Sequence, residues 1–335
     1  MYNKNIDYSF LSKKITKQDI NEFKRTHPEV LAQSSPLITA FISLIFVFIA
    51  VMCVGMMFVG QGGAMSFVLG GLFLTFEVLI LLAVLKGIRT RKAREVRMYS
   101  FALANAMQFF VNKDIAPYVG TIFKQGYSGT ITETLIVGDG REIGNFKYVT
   151  GSGKSRSEHN WGYVQVKLSR KLPHLMLDSK ANNIMSSWSN LPVGFSKDQT
   201  VKLEGDFNEH FTVYAPEQYQ QDARYVFTPD VMAALVDSAA NFDIEVIDDI
   251  LIFYSSNILA LDSEVELRKI IELTQKVSTE LIDQTEYYAD ERVGDRTANV
   301  IAAPGRRLKT RISVWTIITL VFVFIYFIFA TWHEF

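Results

Sequence analysis

LITAFISLIFVFIAVMCVGMMFV, residues 37–59, is an unbroken apolar run of the length a helix needs to cross the hydrocarbon core of a bilayer, ~20 residues. Two more runs read the same way: FVLGGLFLTFEVLILLAVL, residues 67–85, and VWTIITLVFVFIYFIFATW, residues 314–332. None carries more than one Asp, Glu, Lys or Arg, and only helices or closed barrels satisfy their own backbone in lipid. The expectation is three transmembrane helices, the first two a tight hairpin across Gly60 to Met65. The chain then divides into a polar segment 1–36, a hairpin 37–86, a polar domain 87–311 and a C-terminal span 312–335.

Basic residues near span ends are retained on the cytoplasmic side. Lys4, Lys13, Lys14, Lys17, Lys24 and Arg25 precede the first span; Lys86, Arg89, Arg91, Lys92, Arg94 and Arg97 follow the second; Arg306, Arg307, Lys309 and Arg311 precede the third. The hairpin turn and the tail His333 to Phe335 carry neither Lys nor Arg. This distribution predicts a multi-pass protein of the cell membrane with its N-terminus and polar domain in the cytoplasm and its C-terminus outside. The first span is a poor secretory signal, because a long polar segment precedes it. Arg89, Arg91, Lys92, Arg94, Arg306 and Arg307 are candidate contacts for anionic headgroups, although such clusters also serve only to fix topology.

The net charge of −1 gives no field that would gather nucleic acid. The single cysteine, Cys53, permits no intrachain disulfide and no multi-thiolate metal site. Glu77, near the middle of the second span, is costly in lipid and so is a functional candidate. The bland alternative is a protonated carboxyl bonded across a helix interface, with Thr319 of the third span at similar depth.

The polar block reads as α+β. A helix continuing from the second span is expected over Val96 to Asn112. Short strands follow at Thr130–Val137, Asn145–Thr150, Gly162–Leu168, His174–Leu177, Thr200–Leu203 and His210–Tyr214. Thr228-Pro229 starts a helix to about Ala240. Ile244–Ile247 and Ile250–Tyr254 read as a hairpin turning at Asp248-Asp249. A last amphipathic helix runs from Asp262 to about Ala289 with Val265, Leu267, Ile270, Ile271, Leu273, Val277 and Leu281 on its apolar side, before a polar linker Asp290 to Arg311.

Several motif look-alikes fail on inspection. TGSGKS, residues 150–155, copies the end of a phosphate-binding loop, but Tyr148 stands where the first glycine belongs and strands flank it, so it reads as a hairpin turn and no nucleotide is expected. Asp206-Phe207-Asn208-Glu209 resembles the start of a calcium loop but lacks the glycine at its sixth position. His27, His159, His174, His210 and His333 show no metal-ligand spacing, and no nucleophile elbow is present. No catalytic, cofactor or metal residue is assigned, and no cofactor is expected.

LEGDFNEHFTVYA, residues 203–215, followed by ARYVFTPDVM, residues 223–232, resembles a family of bacterial membrane proteins catalogued as a domain of unknown function, with E-x-x-F-N-x-x-F-x-V-Y-A and A-R-Y-x-x-T-P-x-x-M segments. The resemblance implies a bacterial membrane location and a cytoplasmic β-rich module; it supplies no catalytic residues. Read physically, Phe207, Phe211, Val213 and Tyr225 pack strands against the helix at Pro229, while Arg224 pairs with Glu204 or Glu209; a ligand groove along this surface is the alternative. Glu204, Asn208, Arg224 and Tyr225 are therefore the soluble candidates. The expectation is a membrane-anchored interaction or scaffold module, held near the bilayer at both ends, whose partners are lipid and other membrane proteins. Two rivals stand: an enzyme acting on lipid or envelope precursors, which would gather His159, His174 or His210 with carboxylates, and a transporter or channel subunit using Glu77.

Overall fold

The computed structural model describes residues 6–28, 44–52, 54–55, 64–138, 140–183, 189–311, 321–322 and 324. Thr319, Cys53 and most of the third apolar run lie outside the described residues. The protein is α+β and divides into two compact units, residues 6–105 and the chain from 106 onward.

In the first unit, residues 44–52 and 54–55 are helical. Helix α1 spans Ser9–Ser12, α2 spans Lys17–Thr26 and α3 spans Ala64–Ala104. Among the described residues α3 is the helix long and apolar enough to cross a membrane. Its lower part is covered by the N-terminal segment: Ile20 and Phe23 of α2 pack on Val96, and Tyr8 meets the Phe101 ring at 5.8 Å. Thr16 and Asp19 form a capping box that starts α2, a signal present in the sequence. Asn105 ties the ends of the unit together, accepting from Asp7 N at 2.8 Å and donating to Asp7 O at 3.0 Å.

The helix expected over Val96–Asn112 stops at Ala104. Ala106 takes a positive φ of 54°, and Gln108–Lys113 forms strand β1, with Phe109 and Val111 alternating into the core. Strands β2 (Tyr127–Val137), β3 (Arg141–Thr150) and β4 (Ser157–Ser179) continue the sheet as antiparallel neighbours. The TGSGKS stretch makes the β3–β4 turn. Strands β5 (Gly194–Phe195), β6 (Thr200–Val201), β7 (Phe211–Tyr214), β8 (Asp243–Ser255) and β9 (Thr310–Arg311) complete the set. The main sheet runs β1-β2-β3-β4-β7-β6 with β8 on the other flank of β4, and β5 pairs with β9 separately.

Two expectations are corrected by single long strands. The runs 162–168 and 174–177 belong to one strand, β4, and the ladder shifts register between Lys167 and Leu175, where Pro173 sits because a bulge needs no N–H from it. The hairpin at Asp248-Asp249 is instead a bulge within β8: Asp248 has φ +54°, and Arg307 holds its carboxylate from 3.0 and 3.3 Å. Both bulges lie in the same stretch of the β4–β8 ladder. They coil the pair together rather than ending it.

Helices α4 (Phe207–His210), α5 (Gln220–Val226), α6 (Pro229–Ala239) and α7 (Glu264–Thr285) follow. Proline at the first position starts α6, as expected. Ser263, not Asp262, caps α7 by accepting from Glu266 N, and Val265 is 80% exposed while Leu267, Ile270, Ile271, Leu273, Val277 and Leu281 are buried. Helix α7 packs on α6 and β4. Arg141 of β3 donates to Ile271 O at 3.0 Å on that face. The opposite face is an aromatic core with Tyr118, Phe123, Phe146, Tyr148, Trp161, Tyr163 and Tyr254. The expected polar linker 290–311 is instead a strap: Asp290, Ile301 and Leu308 are buried, and its end pairs as β9 with β5.

Candidate functional site

Arg224 and Tyr225 lie on α5 and are exposed, Tyr225 by 46%, so neither packs beneath α6 as expected. Arg224 donates to Gln220 O at 3.4 Å, a long bond within its own helix, in place of the expected pair with Glu204 or Glu209. The two residues border a cleft of about 920 Å³ between α5 and the chain that follows α7, where Tyr287, Tyr288, Glu291, Arg292 and Arg296 make the other wall.

The floor of this cleft is fixed by bonds and its rim is exposed. Arg292 donates to Asp222 Oδ2 at 2.9 Å and to Asp290 Oδ1 at 3.2 Å, and its guanidinium lies 3.9 Å from the centre of the Tyr219 ring. Tyr288 OH donates to Asp222 Oδ1 at 2.7 Å and Tyr219 OH to Asp290 Oδ2 at 2.6 Å. Burial opposes ionisation of Asp290, yet the bonds from Tyr219, Ala302 N and Arg292 outweigh it and hold its pKa below the ordinary value. Each of these groups is already engaged. On the rim, Tyr287 is 84% exposed beside Tyr225 and Arg224, while Arg296 donates to Glu291 at 2.5 Å. Exposed aromatic faces next to a guanidinium suit a partner carrying apolar and carboxylate groups, the composition of binding hot spots.

The motif's other residues build the fold. Asn208 accepts from Leu203 N at 3.2 Å and donates to Leu203 O at 2.6 Å, standing in for a strand partner and closing the turn at Gly205. Glu204 is exposed, and Phe207, Phe211 and Val213 are buried. The Asp206–Glu209 look-alike of a calcium loop becomes the helical turn α4.

The histidines are not brought together. His159 stacks on Tyr148 with ring centres 4.8 Å apart and bonds Thr150 Oγ1 at 2.8 Å, beside a cavity of about 520 Å³ that Glu158 and Ser256 also line. His210 ends α4. His174 is buried against Glu245, its Nε2 2.7 Å from Oε1. Leu308 N donates to His174 Nδ1 at 3.0 Å, which fixes the ring proton on Nε2. Thr121 N at 2.8 Å, Tyr254 OH at 2.7 Å and the Thr121 hydroxyl complete the donors to Glu245. Burial of Glu245 is complete and pushes its pKa up, but the His174, Thr121 and Tyr254 bonds outweigh it and keep the carboxyl below its usual range. With both imidazole nitrogens and both carboxylate oxygens engaged, this dyad holds structure. The sequence signal was there: a charged residue inside an apolar strand, Glu245 within DIEVI.

In α3, Glu77 is 9% exposed although its neighbours Phe76 and Val78 are 63% and 51% exposed, so it faces protein rather than the helix's open side. Its proposed partner Thr319 lies outside the described residues. Arg89 and Arg91 are exposed, Arg91 reaching Glu95 at 3.1 Å, and Lys92 and Arg94 are half-buried. Arg306 donates to Ile301 O at 2.8 Å, and Arg307 is held by Asp248. Among the described residues no group of three or more His, Cys, Asp or Glu side chains could hold a metal ion.

No family model matches the chain, and no curated protein matches it. Among solved structures it is similar to the crystal structure of the mycobacterial trehalose monomycolate transport factor A, with 6% identity and a TM-score of 0.37 over 55% of this chain and 92% of that one. A likeness at that level carries no argument about fold or function.

Proposed function

We propose that this chain is a membrane-anchored interaction or scaffold module whose α+β domain recruits a partner at the cleft between α5 and residues 287–296. The carrying observation is the contrast within that cleft. Its floor is locked by Arg292 and its rim leaves Tyr225, Tyr287 and Arg224 exposed, an expensive placement for large aromatic rings unless something covers them. Support for the anchoring comes from α3, long and apolar enough to span, and from the apolar runs 37–59 and 314–332. On this reading the three runs are spans, the basic clusters keep the N-terminus and domain in the cytoplasm, and the C-terminus lies outside. The likeness of residues 203–232 to bacterial membrane proteins favours a bacterial cell membrane.

A photo-crosslinking residue in place of Tyr287, in the full-length protein in its own membranes, tests the reading. We expect one defined membrane-protein adduct, reduced about tenfold by Arg224→Glu. Adducts with lipid alone, or an adduct unchanged by Arg224→Glu, would overturn it. A reporter after Phe335 is expected outside and one near Ser196 inside.

A further inference from the structure

Strands β4 and β8 finish side by side. Leu177 pairs with Ile244, so Asp178 and Asp243 stand opposite one another one step further along the ladder, on the same face. Asp178 is 5% exposed and Asp243 is fully buried. Like charges placed directly across a ladder repel, and burial makes the repulsion stronger. Among the described residues no arginine or lysine is bonded to either; Lys180 acts on Asp178 through its charge but donates its ammonium to Asn208 O.

The pair is ringed by amide and hydroxyl side chains. Asp243 accepts from Ser179 N at 2.9 Å and from the amide nitrogens of Asn182 and Asn190, each at 3.0 Å. Asp178 accepts from the Ser189 hydroxyl. Asp178 Oδ1 and the amide oxygens of Asn182, Asn183 and Asn190 are sealed from solvent without a hydrogen-bond partner. The orphaned Asp178 oxygen belongs to a side chain more than nine-tenths buried. Both amide groups already face Asp243 through their nitrogens, so their oxygens lie within a few ångströms of it. Turning the amides over would partner no oxygen without stripping Asp243.

We propose that Asp178 and Asp243, with the side-chain oxygens of Asn182, Asn183 and Asn190, bind one hard divalent cation of calcium size. A set made only of carboxylate and amide oxygens, with no nitrogen or sulfur, is the donor chemistry that calcium takes. Magnesium keeps several waters and demands near-octahedral geometry, which a sealed cluster on a loop does not offer. A cation cancels the cross-strand repulsion and engages all four orphaned oxygens at once.

The test is calcium titration of the full-length protein in detergent, stripped with chelator, read by calorimetry and by thermal unfolding. We expect one calcium per chain, a rise in unfolding temperature with calcium that magnesium does not match, and about tenfold or greater weakening in Asp178→Asn and Asp243→Asn. Asp237→Asn, an exposed carboxylate paired with Lys276, serves as the control and leaves binding unchanged. Asn183→Ala guards against misfolding: removing an unpartnered oxygen leaves the chelated protein as stable as before but weakens calcium binding. Absence of saturable binding, equal stabilisation by magnesium, or binding that survives Asp178→Asn and Asn183→Ala would each overturn the proposal.

Discussion

Glu245 and Asp243 sit two residues apart on one face of the same strand, both buried, and the protein treats them in opposite ways. Glu245 receives four donors, two to each oxygen, and its carboxyl is held below the usual range. Asp243 shares a smaller set of donors with an opposed Asp178, and burial drives its pKa to about 7. The difference shows that burial alone does not mark a functional carboxylate. What separates a structural strut from a candidate site is whether the surrounding groups exhaust its hydrogen bonding.

The largest expected effect is at the strut. In Glu245→Gln an amide nitrogen must face either His174 Nε2–H, whose tautomer Leu308 N fixes, or the Thr121 backbone N–H. A fixed donor meets a donor in both orientations. We expect a loss of about 3–5 kcal/mol in denaturant unfolding, the usual result of breaking a buried charged network from one side. A loss under about 1 kcal/mol would mean that Glu245 and Asp243 are not different in kind. Thr121→Val removes one hydroxyl donor and keeps the backbone one, and should cost about 1.5–3 kcal/mol by the same measurement.

The pH dependence sharpens the comparison further, because the two regions have opposite signs. A carboxyl whose folded pKa is raised binds more protons folded than unfolded, so its contribution is present below the unfolded value of 3.8 and is lost as pH rises through about 7 for Asp243 and about 6 for Asp178. Glu245, lowered in the folded protein, contributes above its unfolded value of 4.5 and loses that contribution as pH falls. In chelator, unfolding temperature should therefore fall between pH 5 and about 7, and Asp243→Asn should flatten that slope. A wild-type profile already flat over this interval would remove the distinction.

The α+β class, the helix at Pro229, the β3–β4 turn and the apolar face of α7 were legible because each rests on local chemistry: a proline at the first helical position, a glycine turn, a 3.6-residue period. What sequence missed depends on contacts made across long separations. Pro173 and Asp248-Asp249 look like strand breaks, yet opposite one another they form matched bulges inside one ladder. The strap looked like a linker because its buried residues, Asp290, Ile301 and Leu308, are too widely spaced to show a period. Tyr225 was expected to pack and Arg224 to pair with Glu204 or Glu209, yet both are exposed, because α5 turns them toward Tyr287 and Arg292, which reach them only through the fold. Gly120 gave no local signal either, although any side chain there would collide with the Tyr254 hydroxyl that serves Glu245.

The strap has a mechanical meaning. Before the apolar run 314–332 the chain is stitched to the domain through β9 on β5, through Leu308 N on His174 and through a reciprocal pair of bonds between Lys309 and the Gln199 side chain. A pull applied at Arg311 would therefore load β5 and the His174–Glu245 contact inside the long ladder. Force and displacement at that end become inputs to the domain's interior.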